Sequence, residues 1–196
     1  MLETRHSARR VPPFQSMDVI TLLENLHFVD ACRDEHFEAM SLIHALGWRD
    51  TYVGYVPDEY MAREITDDRW VKFFREDYET GRCHGLLLYR NNTPVGCINH
   101  GPARNQEPGC ENFGEIISFY THPAERGNGY GGQLMEEAVR RLGAAGHKHA
   151  YVYVLKENEK ARRFYTAHGF AWDGTHTLIP FPPDAICVDL RYTREI

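Results

Sequence analysis

The stretch from Ile116 to Leu142 joins an apolar run, a bend opened by Arg126 that carries Gly127, Gly129, Gly131 and Gly132, and an amphipathic helix pattern. The chemistry this order serves is phosphate binding. The first turn of a helix leaves backbone N–H groups without intrahelical partners, and the helix dipole adds partial positive charge at the same end, so anions bind there. Glycine has no Cβ, which lets its amides approach a bulky pyrophosphate at backbone angles other residues resist. Asn128 and Tyr130 complete the loop, and the guanidinium of Arg126 is expected to face the pyrophosphate rather than serve as a plain surface charge. The plainer alternative is a glycine-rich connection between strand and helix that binds nothing.

Gly127, Gly129 and Gly132 also satisfy the G-x-G-x-x-G fingerprint of dinucleotide-binding folds. That fingerprint expects its glycines directly after the strand and an acidic residue about 20 positions on, at the end of the next strand. Here His122 to Arg126 intervene, and the next apolar run, Ala150 to Leu155, ends in Lys156. A dinucleotide site therefore fits poorly.

The pattern R-x-x-G-x-G, occupied by Arg126, Gly129 and Gly131, fits better, and with it the sequence resembles the GCN5-related N-acetyltransferase (GNAT) superfamily. A second signature strengthens the likeness. The segment NEKARRFYTAHGF places Asn158, Ala161, Phe164, Tyr165, Gly169 and Phe170 at the spacing of that superfamily's Asn-led helix, which carries a tyrosine and closes on Gly-Phe. The two signatures cover roughly residues 115–174, with a looser likeness back to about Leu26 and on to Tyr192.

The resemblance implies roles for particular residues. The pyrophosphate of acetyl-CoA would sit on the amides of Arg126, Gly127, Asn128, Gly129, Tyr130, Gly131 and Gly132, and the pantetheine amides would pair with backbone around Phe119, Tyr120 and Thr121. Asn158 would cap its helix, touch the cofactor arm, or do both. An acceptor amine must lose a proton before it can attack, which requires a base or a water chain. Glu115, at the start of the central strand, is the expected base, directly or through water; the competing reading is a solvated end residue. A backbone N–H near Phe119 or Tyr120 would steady the oxyanion. Tyr165 is the expected acid that protonates the departing thiolate. By periodicity alone, Ala161, Phe164, Tyr165 and His168 would be only the buried stripe of a helix.

Composition sets the wider limits. The chain has 196 residues and a formal net charge of -6, which suits one domain with a real core and argues against a nucleic-acid surface. An acidic rim would favour cationic amines. No apolar stretch reaches the roughly 20 residues that span a bilayer, and no signal-peptide segment opens the chain, so a cytoplasmic location is expected. Cys32, Cys83, Cys97, Cys110 and Cys187 are odd in number and lack C-x-x-C spacing, which indicates reduced thiols. His147 and His149 lie two apart, yet no further ligand completes a set around them, so no metal is expected.

The elements that would position these residues follow from pattern. Residues 1–16 read as a loose arm, and 17–196 as a single N-acetyltransferase domain. Met17 to Leu26 has helical intervals and His27 to Ala31 reads as a first strand. Asp34 is the expected cap of a helix that carries Phe37, Met40 and Ile43 and ends at Gly47. An aromatic-rich connection, Trp48 to Tyr60, precedes a second helix from about Asp67, with Trp70, Val71, Phe74 and Tyr78 on one side. A hairpin turns at Asn91-Asn92, a polar loop spans Pro102 to Asn112, and the central strand runs from Glu115 to Thr121. Tyr130, Leu134, Ala138 and Leu142 give the next helix a buried stripe. A strand at Ala150 to Leu155, the Asn158-capped helix and a closing antiparallel pair around Pro180 to Pro183 complete the order.

The expected fold is α/β (α+β): a mixed, mostly antiparallel sheet of six to seven strands with flanking helices. By resemblance, a V-shaped split separates the fourth and fifth strands. The expected function is acyl-CoA-dependent N-acetyl transfer to a small-molecule or peptide primary amine, with direct attack in a ternary complex and no metal. A non-catalytic acyl-CoA-binding sensor or scaffold is the alternative. No nucleic-acid or membrane partner is expected, and pairing through edge strands or the tail would give a homodimer.

Overall fold

The computed structural model describes residues 25–104 and 110–196. The expected arm at 1–16, most of the Met17 to Leu26 helix and the middle of the Pro102 to Asn112 loop lie outside the described residues. Within them the order is β1 (Leu26–Asp30), α1 (Asp34–Thr51), α2 (Asp58–Glu64), α3 (Val71–Thr80), β2 (His84–Arg90), β3 (Thr93–Pro102) and β4 (Phe113–Thr121), then α4 (Tyr130–Ala144), β5 (His149–Leu155), α5 (Glu159–Ala167), β6 (Ala171–Phe181) and β7 (Ala185–Glu195). A short 3₁₀ turn, Pro123–Glu125, stands between β4 and α4.

One seven-stranded sheet, in the order β1-β2-β3-β4-β5-β7-β6, organises the chain. Every neighbouring pair is antiparallel except β4 and β5. That parallel pair is short: its register runs from Phe113 opposite His149 to Ile116 opposite Val152 and then stops. The remainder of β4, to Thr121, and of β5, to Leu155, diverge. A V-shaped opening in the middle of the sheet results.

Each face of the sheet is covered by helices for sequence reasons. In α4, Tyr130, Leu134, Met135, Ala138, Val139 and Leu142 recur at helical intervals, and all are buried against Leu86, Ile98, Ile116 and Val152. Each such leucine contributes about 1.5–3 kcal/mol on leaving water. On the other face, Phe37, Met40 and Ile43 of α1 and Phe74 of α3 pack on Leu87 and Cys97. Under the open end of the V lies a smaller cluster, where Val56, Leu155, Phe181 and Cys187 are covered by Trp48, Tyr52 and Tyr60.

Two local expectations are corrected. Gly47 does not end α1, which continues to Thr51; Gly47 is buried inside the helix because the Tyr120 ring occupies the place a Cβ would need. A glycine there serves close packing rather than helix termination. Asp34 is the first residue of α1 and not its cap, which is Arg33 without a side-chain hydrogen bond. The Asp34 carboxylate instead accepts from Arg75 Nε and Nη2 at 3.0 and 2.9 Å, tying α1 to α3. The Trp48 to Tyr60 connection also contains the start of α2.

Elsewhere the turn chemistry is as expected. Asn91 takes the left-handed backbone, φ 56°, between β2 and β3. The Asn158 carboxamide accepts from Ala161 N at 3.0 Å and starts α5.

Candidate active site

The opening between β4 and β5 continues into a cleft of about 1920 Å³. Its lining brings together nearly all the residues nominated from sequence. Glu115, Phe119, Tyr120 and Thr121 come from β4, Arg126, Gly127 and Gly129 from the loop, Tyr130, Gly131 and Gly132 from the first turn of α4, and Asn158 and Tyr165 from the start and middle of α5. Asn128 does not line it; its amide Nδ2 donates to the Glu125 carbonyl at 3.1 Å and braces the loop from outside.

The four loop glycines answer to two different constraints. Gly127 and Gly129 have φ of 88° and 78°, with open space where a Cβ would project, and Gly129 is the cap of α4. Left-handed backbone there turns the chain so that the first amides of α4 face the cleft. Gly131 and Gly132 are held small by their neighbours: a Cβ on Gly131 would meet the Phe119 ring at 3.1 Å and one on Gly132 would meet His168 Nε2 at 3.0 Å. Phe119 stacks on Phe164 at 5.3 Å, and Phe164 lies 4.2 Å from the His168 ring, so one aromatic wall backs the loop and joins it to α5. Arg126 lines the cleft while ion-paired with Asp50.

A bulge sets the side chains of β4. Asn99 pairs with Ser118 but His100 pairs with Ile116, leaving Ile117 as the extra residue. Ile116 and Phe119 then pack toward α4, while Ser118 and Tyr120 turn toward α1 and α3. The half of the cleft on that second side is aromatic. Trp48 stacks on Tyr52 at 4.3 Å, Trp70 lies 5.8 Å from Trp48, and the Tyr52 and Tyr120 hydroxyls are hydrogen bonded.

Glu115 reaches the cleft at the closed end of the V, opposite Tyr151, but its carboxylate is engaged. Arg104 donates to it from its backbone N at 3.0 Å, from Nε at 3.0 Å and from Nη2 at 2.6 Å. The sequence nominated Glu115 as a free base and did not anticipate this partner, since Arg104 sits eleven residues upstream in a polar loop.

Tyr165 is buried, and the loss of water, helped by the nearby Tyr52 and Asp189, raises its phenol far above the usual tyrosine range. It stays protonated throughout the physiological range and always has a hydrogen to donate.

Three further polar residues of the cleft were missed. His44 is buried and donates from Nδ1 to the Met40 carbonyl at 2.9 Å, which leaves Nε2 to accept from the Ser118 hydroxyl at 2.8 Å. Burial pushes its pKa down to about 4, so the ring is neutral at pH 7. Asp189 on β7 lies opposite Leu155 and Thr177. Burial, with Glu157 adding repulsion, pushes its pKa up to about 6. No local sequence signal marks any of the three, because each depends on contacts between distant segments.

The fold has counterparts among known proteins. The chain belongs to the acetyltransferase (GNAT) family, whose family model matches residues 47–170. Solved structures share the fold. The PaiA N-acetyltransferase of Thermoplasma acidophilum in complex with coenzyme A superposes with a TM-score of 0.67 at 16% identity, covering 88% of this chain and 99% of that one. An N-acetyltransferase from Staphylococcus aureus Mu50 gives 0.69 at 19% identity, with 87% and 98% covered. A GNAT-family acetyltransferase from Streptococcus pneumoniae gives 0.61 at 18%, with 88% and 99% covered. No curated protein sequence matches. The family and fold together support acyl-CoA-dependent acetyl transfer in general terms. Among the described residues no helix is long and apolar enough to cross a membrane, and no cluster of three or more metal-ligating side chains occurs.

Proposed function

We propose that this protein transfers an acetyl group from acetyl-CoA to a primary amine, by direct attack while both are bound. The single observation that carries the reading is the coincidence, in one cleft, of the glycine-turned N-terminus of α4 with the strand split whose far wall presents Tyr165. Pyrophosphate would rest on the amides from Gly127 to Gly132, with Arg126 exchanging Asp50 for phosphate. The pantetheine arm would lie along Phe119, Tyr120 and Thr121, where β4 has lost its β5 partner. The thioester would then face the aromatic half of the cleft.

The bonds follow from that placement. The amine nitrogen attacks the carbonyl carbon, the C=O electron pair moves to oxygen, and a backbone N–H of the β4 edge near Phe119 or Tyr120 steadies the charge. Collapse breaks the C–S bond. Tyr165 gives its proton to sulfur, and the amide nitrogen returns a proton to the phenolate. Asn158, while capping α5, keeps that helix and Tyr165 in register with the slot.

The test is to incubate the pure protein with acetyl-CoA and a panel of primary amines while following free thiol. Thiol release above the hydrolysis blank for at least one amine is expected. Thermal stabilisation by coenzyme A without turnover on any amine would favour the non-catalytic binding module, and stabilisation by NAD(P) without any by coenzyme A would remove both.

A further inference from the structure

Glu115 and Asp189 are the two carboxylates of the sheet that line the cleft, and they are held differently. Arg104 supplies three hydrogen bonds to Glu115. No hydrogen bond or ion pair to another described residue engages Asp189. Its direction follows from its strand: Val188, Leu190 and Tyr192 pack toward α4 and α5, and Cys187 packs into the cluster beneath Trp48 and Tyr52 on the opposite face. Asp189, alternating with Leu190, therefore lies on the Cys187 face of β7, and it lines the cleft.

Its surroundings suit an amine. Glu157 approaches from the connection before α5, Tyr165 from α5, Tyr52 from the end of α1 and Cys187 from β7 itself. Arg191, on the same face of β7, is committed to Asp173 at 2.6 Å and Thr175 Oγ1 at 3.0 Å. Leu155 of β5 and Thr177 of β6 flank the carboxylate with uncharged side chains. A half-buried carboxylate with a second one nearby and no cation of its own attracts a positive ligand. The Trp48 and Tyr52 rings add aromatic faces for the same ligand.

We infer that Asp189, and not Glu115, is the catalytic carboxylate that receives the acceptor ammonium and takes its proton. The inference rests on the acetyl-transfer reading above. Protons balance as follows. The acceptor enters with three on nitrogen; one passes to the Asp189 carboxylate and later to solvent, one replaces the proton Tyr165 gives to sulfur, and one stays on the amide. A carboxyl poised at about 6 suits this task, because it is ionised at neutral pH yet basic enough to share a proton with an ammonium. Glu115 and Arg104 then form a fixed pair at the closed end of the split.

The test has two arms. In the free protein labelled at aspartate ¹³Cγ, one carboxyl resonance should titrate near pH 6, vanish in Asp189→Asn, and shift to a lower midpoint when benzylammonium is added. No such shift overturns the inference whatever the turnover. In the second arm, with an amine that the wild-type protein acetylates, Asp189→Asn should lower kcat/KM by about 10²-fold at neutral pH, and less at alkaline pH, where free amine is abundant. Stabilisation by coenzyme A should persist, which shows an intact fold. Glu115→Gln should keep the acid limb of the rate profile. Retention of that limb in Asp189→Asn with its loss in Glu115→Gln would place the base at Glu115 and overturn the inference, whereas absence of turnover in the wild-type protein would count against the acetyl-transfer reading itself.

Discussion

Arg104 and Glu115 form a bidentate pair across the closed end of the strand split, with Nη2 at 2.6 Å and Nε at 3.0 Å from the carboxylate oxygens. The glutamate is 3% exposed, so the guanidinium is what makes its charge tolerable there. Hydrogen bonding to that carboxylate holds the Arg104 pKa above the usual arginine range. Removing the arginine alone leaves a buried charge without compensation. Because the Arg104 side chain is itself 57% exposed, Arg104→Met should cost about 1–2 kcal/mol by urea unfolding, and the Arg104→Met/Glu115→Gln double variant less than the sum of the two single changes.

The loop glycines can be told apart by experiment. Gly129→Ala would force a side chain into left-handed backbone and should lose about 1 kcal/mol of stability together with most coenzyme A affinity, measured calorimetrically. Gly143, late in α4 with no atom within 4 Å of where a Cβ would project and no positive φ, is the control. Gly143→Ala should stabilise by about 0.5–1 kcal/mol and leave coenzyme affinity unchanged.

Tyr165→Phe removes the hydroxyl and keeps the ring that packs edge-on against Phe170 at 6.0 Å. Turnover should fall by about 10²-fold while acetyl-CoA affinity, from equilibrium titration, stays nearly intact, because the phenol is needed when sulfur leaves. A matched loss of affinity would assign Tyr165 a structural role.

Acid stability should report on the buried histidines. His44 and His100 are both pushed down to about 4, chiefly by burial, so between that value and 6.5 the unfolded chain takes up protons that the folded protein refuses. Stability is full above about 6.5 and falls as pH drops toward 4. In His44→Gln the urea midpoint should lose part of that dependence, up to ~1.4 kcal/mol per pH unit for one proton.

Much of this was legible in sequence, and what was not has a common cause. The α4 stripe, the Asn158 cap and the Asn91 turn are local codes, written in spacing and in residues that fit one backbone geometry. The split between the fourth and fifth strands was expected from two motifs read together, and the glycine loop from its own residue types and spacing. Gly47 was misread because its role belongs to Tyr120, more than seventy residues away in β4. His44 with Ser118, Glu115 with Arg104, and Asp189 in its cleft are likewise products of the sheet bringing distant segments together. Composition and periodicity hold no record of such meetings.

Quantifying both products of a single reaction tests the central claim most directly. With acetyl-CoA and an accepted amine, free coenzyme A and N-acetylated amine should appear in equal amounts by mass spectrometry, and Gly129→Ala and Tyr165→Phe should slow both together. Coenzyme A release without acetylated amine, or acetylation that persists unslowed when Gly129 and Tyr165 are both replaced, would contradict it.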